Sequence, residues 1–102
     1  MPTPTHATLA TFRMDLAREA AQREGLEQMI VPGVQRHPGF VAGTWTLDRD
    51  SAESLVMLTY TSRESAEAMS SNILGNAENQ RFAGIELINV RILEVSASAS
   101  AI

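Results

Sequence analysis

Two aromatic side chains and one arginine have the chemistry to hold a small molecule. Trp45, the only tryptophan, could stack on a flat ligand, and Tyr60, the only tyrosine, could donate a hydrogen bond to a ligand oxygen. Arg81 belongs to a polar stretch that could cover a pocket. Each feature also has a structural interpretation, which is the more common one in proteins. Trp45 would then fill core space, Tyr60 would anchor a helix to a sheet, and the polar stretch would be a solvated connector.

The two histidines are the only side chains that normally titrate near neutral pH. His6 begins a predicted strand near the N-terminus, where an exposed and inert role is the simpler interpretation. His37 lies at the end of a predicted helix, where a cation would interact favourably with the helix dipole. Neither histidine has carboxylates at the spacing of a metal ligand set, so we expect no metal site.

Composition limits the classes of protein that these residues could serve. A chain of 102 residues is one domain. The absence of cysteine excludes disulfides and thiol catalysis, and a net charge of −4 argues against general nucleic-acid binding. The first residues lack the basic start and apolar stretch of a signal peptide, and the apolar runs are too short for a membrane span. We therefore expect a cytoplasmic protein that binds neither nucleic acid nor membrane.

Hydrophobic periodicity predicts the element order strand, helix, strand, strand, helix, strand. Near-alternating apolar residues predict strands over residues 6–14, 40–47, 53–60 and 86–95. Apolar residues at helical spacing predict helices over residues 16–34 and from about 61 to 74. Residues 76–85 are expected to form a loop with room for one helical turn.

These elements define one domain over residues 6–95. Residues 1–5 are expected to form a flexible N-terminus. The Ser/Ala tail, residues 96–102, is too small and polar to pack by itself, so we expect it to be flexible as well.

Capping residues and helix breakers set the predicted helix boundaries. Asp15 is a good N-cap for the first helix, and Thr61 with Glu64 fits a capping box for the second. Pro38 should stop the first helix before the second strand. Pro32 lacks a backbone donor, so we expect a kink near it.

The same spacing predicts which side chains pack against the sheet. On the first helix the inward stripe is Leu16, Ala20, Arg23, Glu27, Ile30 and Val34. On the second helix it is Ala66, Met69 and Ile73.

Two βαβ halves with right-handed crossovers give an α+β domain. Its antiparallel sheet has the strand order 4-1-3-2, with both helices on one face. In the third strand, Val56, Leu58 and Tyr60 share one side and Leu55, Met57 and Thr59 share the other. In the fourth strand, the pattern places Ile88, Val90 and Ile92 on one side and Leu87, Leu93 and Val95 on the other.

Both sides of these strands are apolar, whereas a sheet face in contact with water is normally polar. An uncovered apolar sheet face marks an association site. We therefore expect a homodimer with the two sheets packed face to face. Asn89 and Arg91 would lie at the rim of that interface or form a polar contact within it.

Five segments carry a resemblance to a known family: HATLATFRM, MIVPGVQRHPGF, VAGTWTL, VMLTYTSRESAEAM and ELINVRILEV. Over roughly residues 5–96 the chain resembles the dimeric α/β-barrel superfamily, in particular the small antibiotic-biosynthesis-monooxygenase-like proteins. The resemblance implies a ferredoxin-like βαββαβ fold, sheets paired in a dimeric α/β barrel, and a pocket between the sheet and the helices of each protomer.

The resemblance also implies candidate activities. The family includes cofactor-independent oxygenases that act on aromatic polyketides, and haem-degrading oxygenases that use an Asn, a Trp and a His on a helix. The second helix of this chain carries no histidine, and its tryptophan lies in a strand. The resemblance therefore points to a cofactor-independent monooxygenase-like protein acting on an aromatic or polyketide-like molecule. Trp45, Tyr60 and Arg81 are then the candidate substrate-binding residues.

A non-catalytic alternative remains open at this stage. The sequence shows no nucleophile paired with a base. The chain could therefore be a small-molecule-binding or scaffolding dimer.

Overall fold

The computed structural model describes residues 2–102 and has the predicted α+β architecture. Met1, the first residue of the predicted flexible N-terminus, lies outside the described residues. The strands are β1 (His6–Met14), β2 (Phe40–Trp45), β3 (Glu53–Tyr60) and β4 (Ile85–Glu94). They form an antiparallel sheet in the order β2-β3-β1-β4, which is the predicted order read from the other edge.

One face of the sheet packs against the helices and the other does not; we call these the helix face and the open face. The helix face carries the core cluster, which consists of Ala10, Val34, Val56, Leu58, Tyr60, Ala66 and Met69. The open face carries Leu9, Met57 and Arg91, which lie side by side in the strand register. The predicted division of β3 is confirmed, because Val56 and Leu58 are buried while Leu55 and Met57 are 42% and 41% exposed.

The predicted faces of β4 need a correction. A β-bulge places Asn89 opposite Thr11 but Leu87 opposite Phe12, so Ile88 has no partner on β1. Leu87 therefore shares the side of Phe12, which packs against the core cluster, and Ile88 is exposed. An extra residue in one strand shifts every position before it to the other face.

The first helix, residues 16–35, changes type along its length. A 3₁₀ turn (Leu16–Arg18) is followed by an α-helical part (Glu19–Gly25), a π-helical turn (Leu26–Ile30) and a final α-helical turn (Val31–Gln35). Asp15 caps its start as predicted, accepting a hydrogen bond from the Ala17 amide at 3.1 Å. The helix continues through Pro32, and the missing proline donor is accommodated next to the π-helical turn.

The predicted inward stripe of the first helix is wrong except at its end. Gln22 and Val34 are the buried residues of this helix. Ala20, Arg23 and Glu27 are exposed, and Ile30 is 46% exposed. The π-helical turn (Leu26–Ile30) adds a residue between the two buried positions. A stripe drawn at 3.6 residues per turn that fits Val34 is therefore one position out before the turn, at Arg23 rather than Gln22.

The second helix (Arg63–Gly75) packs as predicted, with Ala66 and Met69 buried and Ile73 against the core cluster. Its N-cap is Ser62, one residue later than predicted, and the Ser62 hydroxyl accepts from the Ser65 amide at 3.2 Å. The segment expected to be a loop with one helical turn contains a third helix (Ala77–Phe82).

Both ends of the described chain extend beyond the strands. Thr5 pairs by backbone hydrogen bonds with Tyr60 and Val95, at 2.8 Å each. Residues beyond Val95 lie outside helices and strands and are exposed. That the two ends flex in solution stays a prediction.

Candidate functional site

Tyr60 is the centre of the candidate site. It is the last residue of β3 and is fully buried on the helix face. His6 on β1 and Phe40 on β2 are its partners in the strand register. The rings of His37 and Phe40 meet the Tyr60 ring edge-on, with centroids 5.5 and 5.8 Å away. This corner of the sheet therefore brings both histidines of the chain next to its only tyrosine.

The Tyr60 hydroxyl is the candidate hydrogen-bond donor of this site. Among residues 2–102 it has no hydrogen-bond partner, although it is buried. A buried polar group without a partner costs about 1–3 kcal/mol, so a ligand oxygen that accepted this hydrogen bond would recover much of that cost. Burial raises the pKa of Tyr60 to about 12. The phenol is therefore neutral at physiological pH and acts as a donor.

The turn after the first helix positions His37. The His37 amide donates to the Val34 carbonyl at 3.0 Å, and the Phe40 amide donates back to the His37 carbonyl at 3.2 Å. Gly39 between them has a φ of +80°, and a Cβ there would lie 2.5 Å from Ser65 Oγ, so the turn requires glycine.

The His37 ring has a defined orientation. Its Nδ1 lies 3.2 Å from the Pro38 carbonyl oxygen. A carbonyl only accepts, so in the neutral ring Nδ1 carries the proton and Nε2 carries the lone pair; this tautomer is assigned from the partner. The site thus pairs a buried phenol donor with an imidazole whose Nε2 can accept a proton.

Trp45 lies on the same face of the sheet as Tyr60. It is opposite Val56 in the register and packs against the core cluster. Its ring covers Gly43, where a Cβ would lie 3.1 Å from Cζ3 of the indole. Four residue steps along β3 separate Val56 from Tyr60, which is about 13 Å at the usual rise of a strand. Trp45 therefore both fills core space and lines the helix face.

Arg81 does not join the other two candidates. It is exposed on the third helix and lines a depression of about 340 Å³ with Arg13, Asp15 and Glu86. His6, the register partner of Tyr60, lies at one end of β1, and Arg13 lies near the other end. Seven residue steps of β1 separate these ends, about 23 Å. Arg81 and Tyr60 thus lie at opposite ends of the sheet.

A buried glutamine was missed by the sequence reasoning. Gln22 is 8% exposed, and its Nε2 donates to the carbonyls of Asp15 and Ala83 at 3.1 and 2.9 Å. Its Oε1 is buried without a partner among the described residues. Nothing in the sequence marked Gln22, because a glutamine on an amphipathic helix is normally exposed. His37 did carry a signal, its place before the Pro38-Gly39 turn.

The open face of the sheet has a depression of its own, of about 460 Å³. Its lining residues are Leu9, Ala42, Gly43, Thr44, Thr46, Leu55, Met57 and Thr59. They are apolar or small, and all but Gly43, which is opposite Leu58 of the helix face, lie on the face predicted to pair with a second sheet.

Two further structural findings concern residues 2–102. These residues contain no group of three or more histidine and carboxylate side chains arranged to hold a metal ion. No helix in this part of the chain is both long enough and apolar enough to cross a membrane.

Comparisons with solved structures match the fold described above. HapK from Hahella chejuensis has a TM-score of 0.71 and 15% identity over 95% of this chain and 98% of that chain. The ActVA-Orf6 monooxygenase of Streptomyces coelicolor, solved in complex with nanaomycin D, has a TM-score of 0.63 and 14% identity, over 100% of this chain and 95% of that one. A putative antibiotic biosynthesis monooxygenase from Deinococcus radiodurans has a TM-score of 0.65 and 10% identity, over 94% and 95% of the two chains.

The remaining comparisons found no match. No protein-family model matches the chain, and no curated protein does.

The matching solved structures show that the chain has the ferredoxin-like fold of the antibiotic-biosynthesis-monooxygenase-like proteins. This confirms the resemblance at the level of fold. Identities of 10 to 15% establish the fold alone.

Proposed function

We propose that this chain is a cofactor-independent monooxygenase-like protein that binds an aromatic or polyketide-like molecule on its helix face. The observation that carries the proposal is the buried Tyr60 hydroxyl, which is neutral and has no partner among the described residues. A keto or phenolic oxygen of such a ligand would accept its hydrogen bond. The nanaomycin D complex of a monooxygenase with this fold supports the ligand class.

The proposed chemistry requires only a few groups from the protein. A methylene activated by aromatic rings and a ketone loses a proton, and the resulting carbanion reduces O₂. The methylene becomes a carbonyl, and the second oxygen atom leaves as water. Tyr60 would stabilise the negative oxygen of the carbanion's enolate form, His37 Nε2 would accept the proton, and apolar walls would exclude water.

In this proposal Trp45 supplies an aromatic wall, since it lies on the same face as Tyr60. Arg81 is the weakest of the three substrate-binding candidates, because it lies at the other end of the sheet. It would contact only a ligand, or a part of a ligand, that reaches the depression next to Arg13.

A non-catalytic binding protein is the second candidate function. The observation that favours it is the burial of the Tyr60 hydroxyl, which has no hydrogen-bond partner among the described residues. A phenol that holds its proton at neutral pH can bind a ligand oxygen but cannot act as the base. The two histidines then remain in this corner to take a proton from the ligand, and a ligand bound without turnover fits the same geometry.

We also propose that the chain forms a homodimer through its open face. Leu55 and Met57 on that face are each about two-fifths exposed, and the depression around them is lined by apolar and small side chains. A second copy would remove this surface from water. The cytoplasmic location expected from the sequence stays a prediction, which cell fractionation would check.

The test follows Trp45 fluorescence and oxygen uptake while the protein is titrated with anthrone and with 1-naphthol. Quenching together with oxygen consumption supports an enzyme, and both signals should weaken in Tyr60→Phe, which keeps the ring and removes only the hydroxyl. Quenching without oxygen uptake supports the binding protein. If neither compound is bound, or if Tyr60→Phe binds them as well as the wild type does, the proposed site is wrong.

A further inference from the structure

The first helix is attached to the rest of the molecule at its two ends. At its start, Arg18 donates to the Phe82 carbonyl and Gln22 to the Ala83 carbonyl. Glu19 accepts two hydrogen bonds from Arg49 on the β2–β3 hairpin, at 2.9 and 2.8 Å. At its other end, Val34 belongs to the core cluster.

Between these ends the helix has little packing. Among the described residues, no side chain from positions 16–33 belongs to the core cluster or packs against it. Met29 and Ile30 are 74% and 46% exposed. Few apolar contacts therefore oppose local unfolding of this part of the helix.

The residues of this middle part also favour opening. Gly25 and Gly33 are the first and last residues of the stretch 25–33, and glycine has a much lower helix propensity than alanine. Space does not explain either glycine, because a Cβ at each position would meet nothing within 4 Å. The π-helical turn (Leu26–Ile30) lies between them, and Pro32 removes a further backbone hydrogen bond. Low helix propensity and one missing backbone hydrogen bond thus coincide with weak packing.

We propose that residues 25–33 open locally while both ends of the first helix stay attached, and that a ligand enters the helix face through this opening. The entry route rests on the proposed function, whereas the opening itself does not. The corner of His37 and Tyr60 lies next to the C-terminal attachment at Val34, so the segment that opens leads directly into the turn that holds His37.

Native-state hydrogen exchange tests the opening without any ligand. In the wild type, the amides of residues 26–31, 33 and 34 should exchange faster than those of Ala66–Ile73 in the second helix. Gly25→Ala and Gly33→Ala should each slow this exchange about fivefold, the equivalent of about 1 kcal/mol of helix propensity. Gly75→Ala is the matched control, because its Cβ also meets nothing within 4 Å and it lies outside the segment.

Two exchange results would overturn the opening. One is a segment that exchanges no faster than the second helix. The other is a set of variants that slow every amide of the protein equally, because the glycines would then act on global stability alone.

Stopped-flow Trp45 fluorescence with anthrone tests the entry route. In the double alanine variant the rates of binding and release should fall together, with the dissociation constant almost unchanged, and Gly75→Ala should leave both rates alone. Unchanged rates in a variant whose exchange has slowed would overturn the route. Absence of anthrone binding to the wild type would count against the proposed function and the route together, while the exchange result would still decide whether the segment opens.

Discussion

The ring of His37 meets the ring of Tyr60 edge-on, with centroids 5.5 Å apart. This contact joins the turn after the first helix to the last residue of β3, 23 positions further along the chain. It places an imidazole beside a buried phenol whose hydroxyl has no partner among the described residues. A donor and a proton acceptor next to each other on an apolar face are what recognition of a small aromatic oxygen compound requires.

Replacing Tyr60 with phenylalanine should separate stability from binding. The change removes a buried hydroxyl that has no partner and keeps the ring, so the free energy of unfolding should rise by about 1 kcal/mol. Anthrone binding should weaken about tenfold, because one hydrogen bond is lost. Urea unfolding and fluorescence titration measure the two effects. A large loss of stability in this variant would show that the hydroxyl is already bonded in the folded protein, for example to water.

Ionisation of Tyr60 should be measurable without overlap from another tyrosine, because the chain has one tyrosine. Burial raises its pKa in the folded protein to about 12, from an ordinary value of 10.0. The neutral form is thus favoured by folding. Its contribution to the free energy of unfolding is fully present below pH 10 and is lost as the pH rises towards 12. Ultraviolet absorbance should titrate near pH 12 in the folded protein and near pH 10 in urea. A folded midpoint near 10 would contradict the burial of the phenol.

Strand periodicity was enough to predict how the sheet is built. The alternation of Val56, Leu58 and Tyr60 with Leu55 and Met57 correctly gave the two faces of β3, because side chains in a strand alternate with a period of two. The same rule failed at Ile88, where a bulge inserts a residue that no local pattern marks. The strand order followed from the connection lengths and the right-handed crossover.

The candidate and buried polar residues outside the strands were harder to predict, because their positions depend on local irregularities. The inward position of Gln22 follows from three-dimensional contacts, its amide filling a ring of carbonyls from Asp15 and Ala83. Tyr60 could be placed on a face from the strand pattern alone. Arg81 could not be placed, because the third helix that carries it has no side-chain capping hydrogen bond from its N-cap Asn76 and its position depends on how the preceding turn folds.

The ion pair of Glu19 and Arg49 should make stability depend on pH. The hydrogen bond from Arg49 holds the pKa of Glu19 below its ordinary value of 4.5. The contribution of the Glu19 carboxylate to the free energy of unfolding is therefore present above its pKa in the unfolded chain. It is lost as the pH falls through its pKa in the folded protein. The thermal midpoint of the wild type should exceed that of Glu19→Gln at pH 7, and the difference should disappear as the carboxylate is protonated.

The matched control for this prediction is Glu67→Gln. Glu67 pairs with Arg63 one turn away in the same helix, at 2.7 Å, so it does not connect separate elements. Glu67→Gln should therefore lower the thermal midpoint less than Glu19→Gln does. A Glu19 variant that behaves like the Glu67 variant at every pH would show that the contact between helix and hairpin adds no stability. High salt should reduce the effect of Glu19, since both side chains are solvent-accessible.

An aspartate at position 57 should break the proposed homodimer. Met57 lies at the middle of the open face beside Leu9, and a second sheet packed there would bury an unpaired carboxylate at a cost of several kcal/mol. Sedimentation equilibrium should give about twice 11.1 kDa for the wild type and the mass of one chain for Met57→Asp. Met29→Asp is the control, because the same change is made at a side chain that is 74% exposed on the first helix, away from the open face. A wild type that is monomeric at micromolar concentration, or a Met57→Asp variant that stays dimeric, would mean that the open face is not the interface.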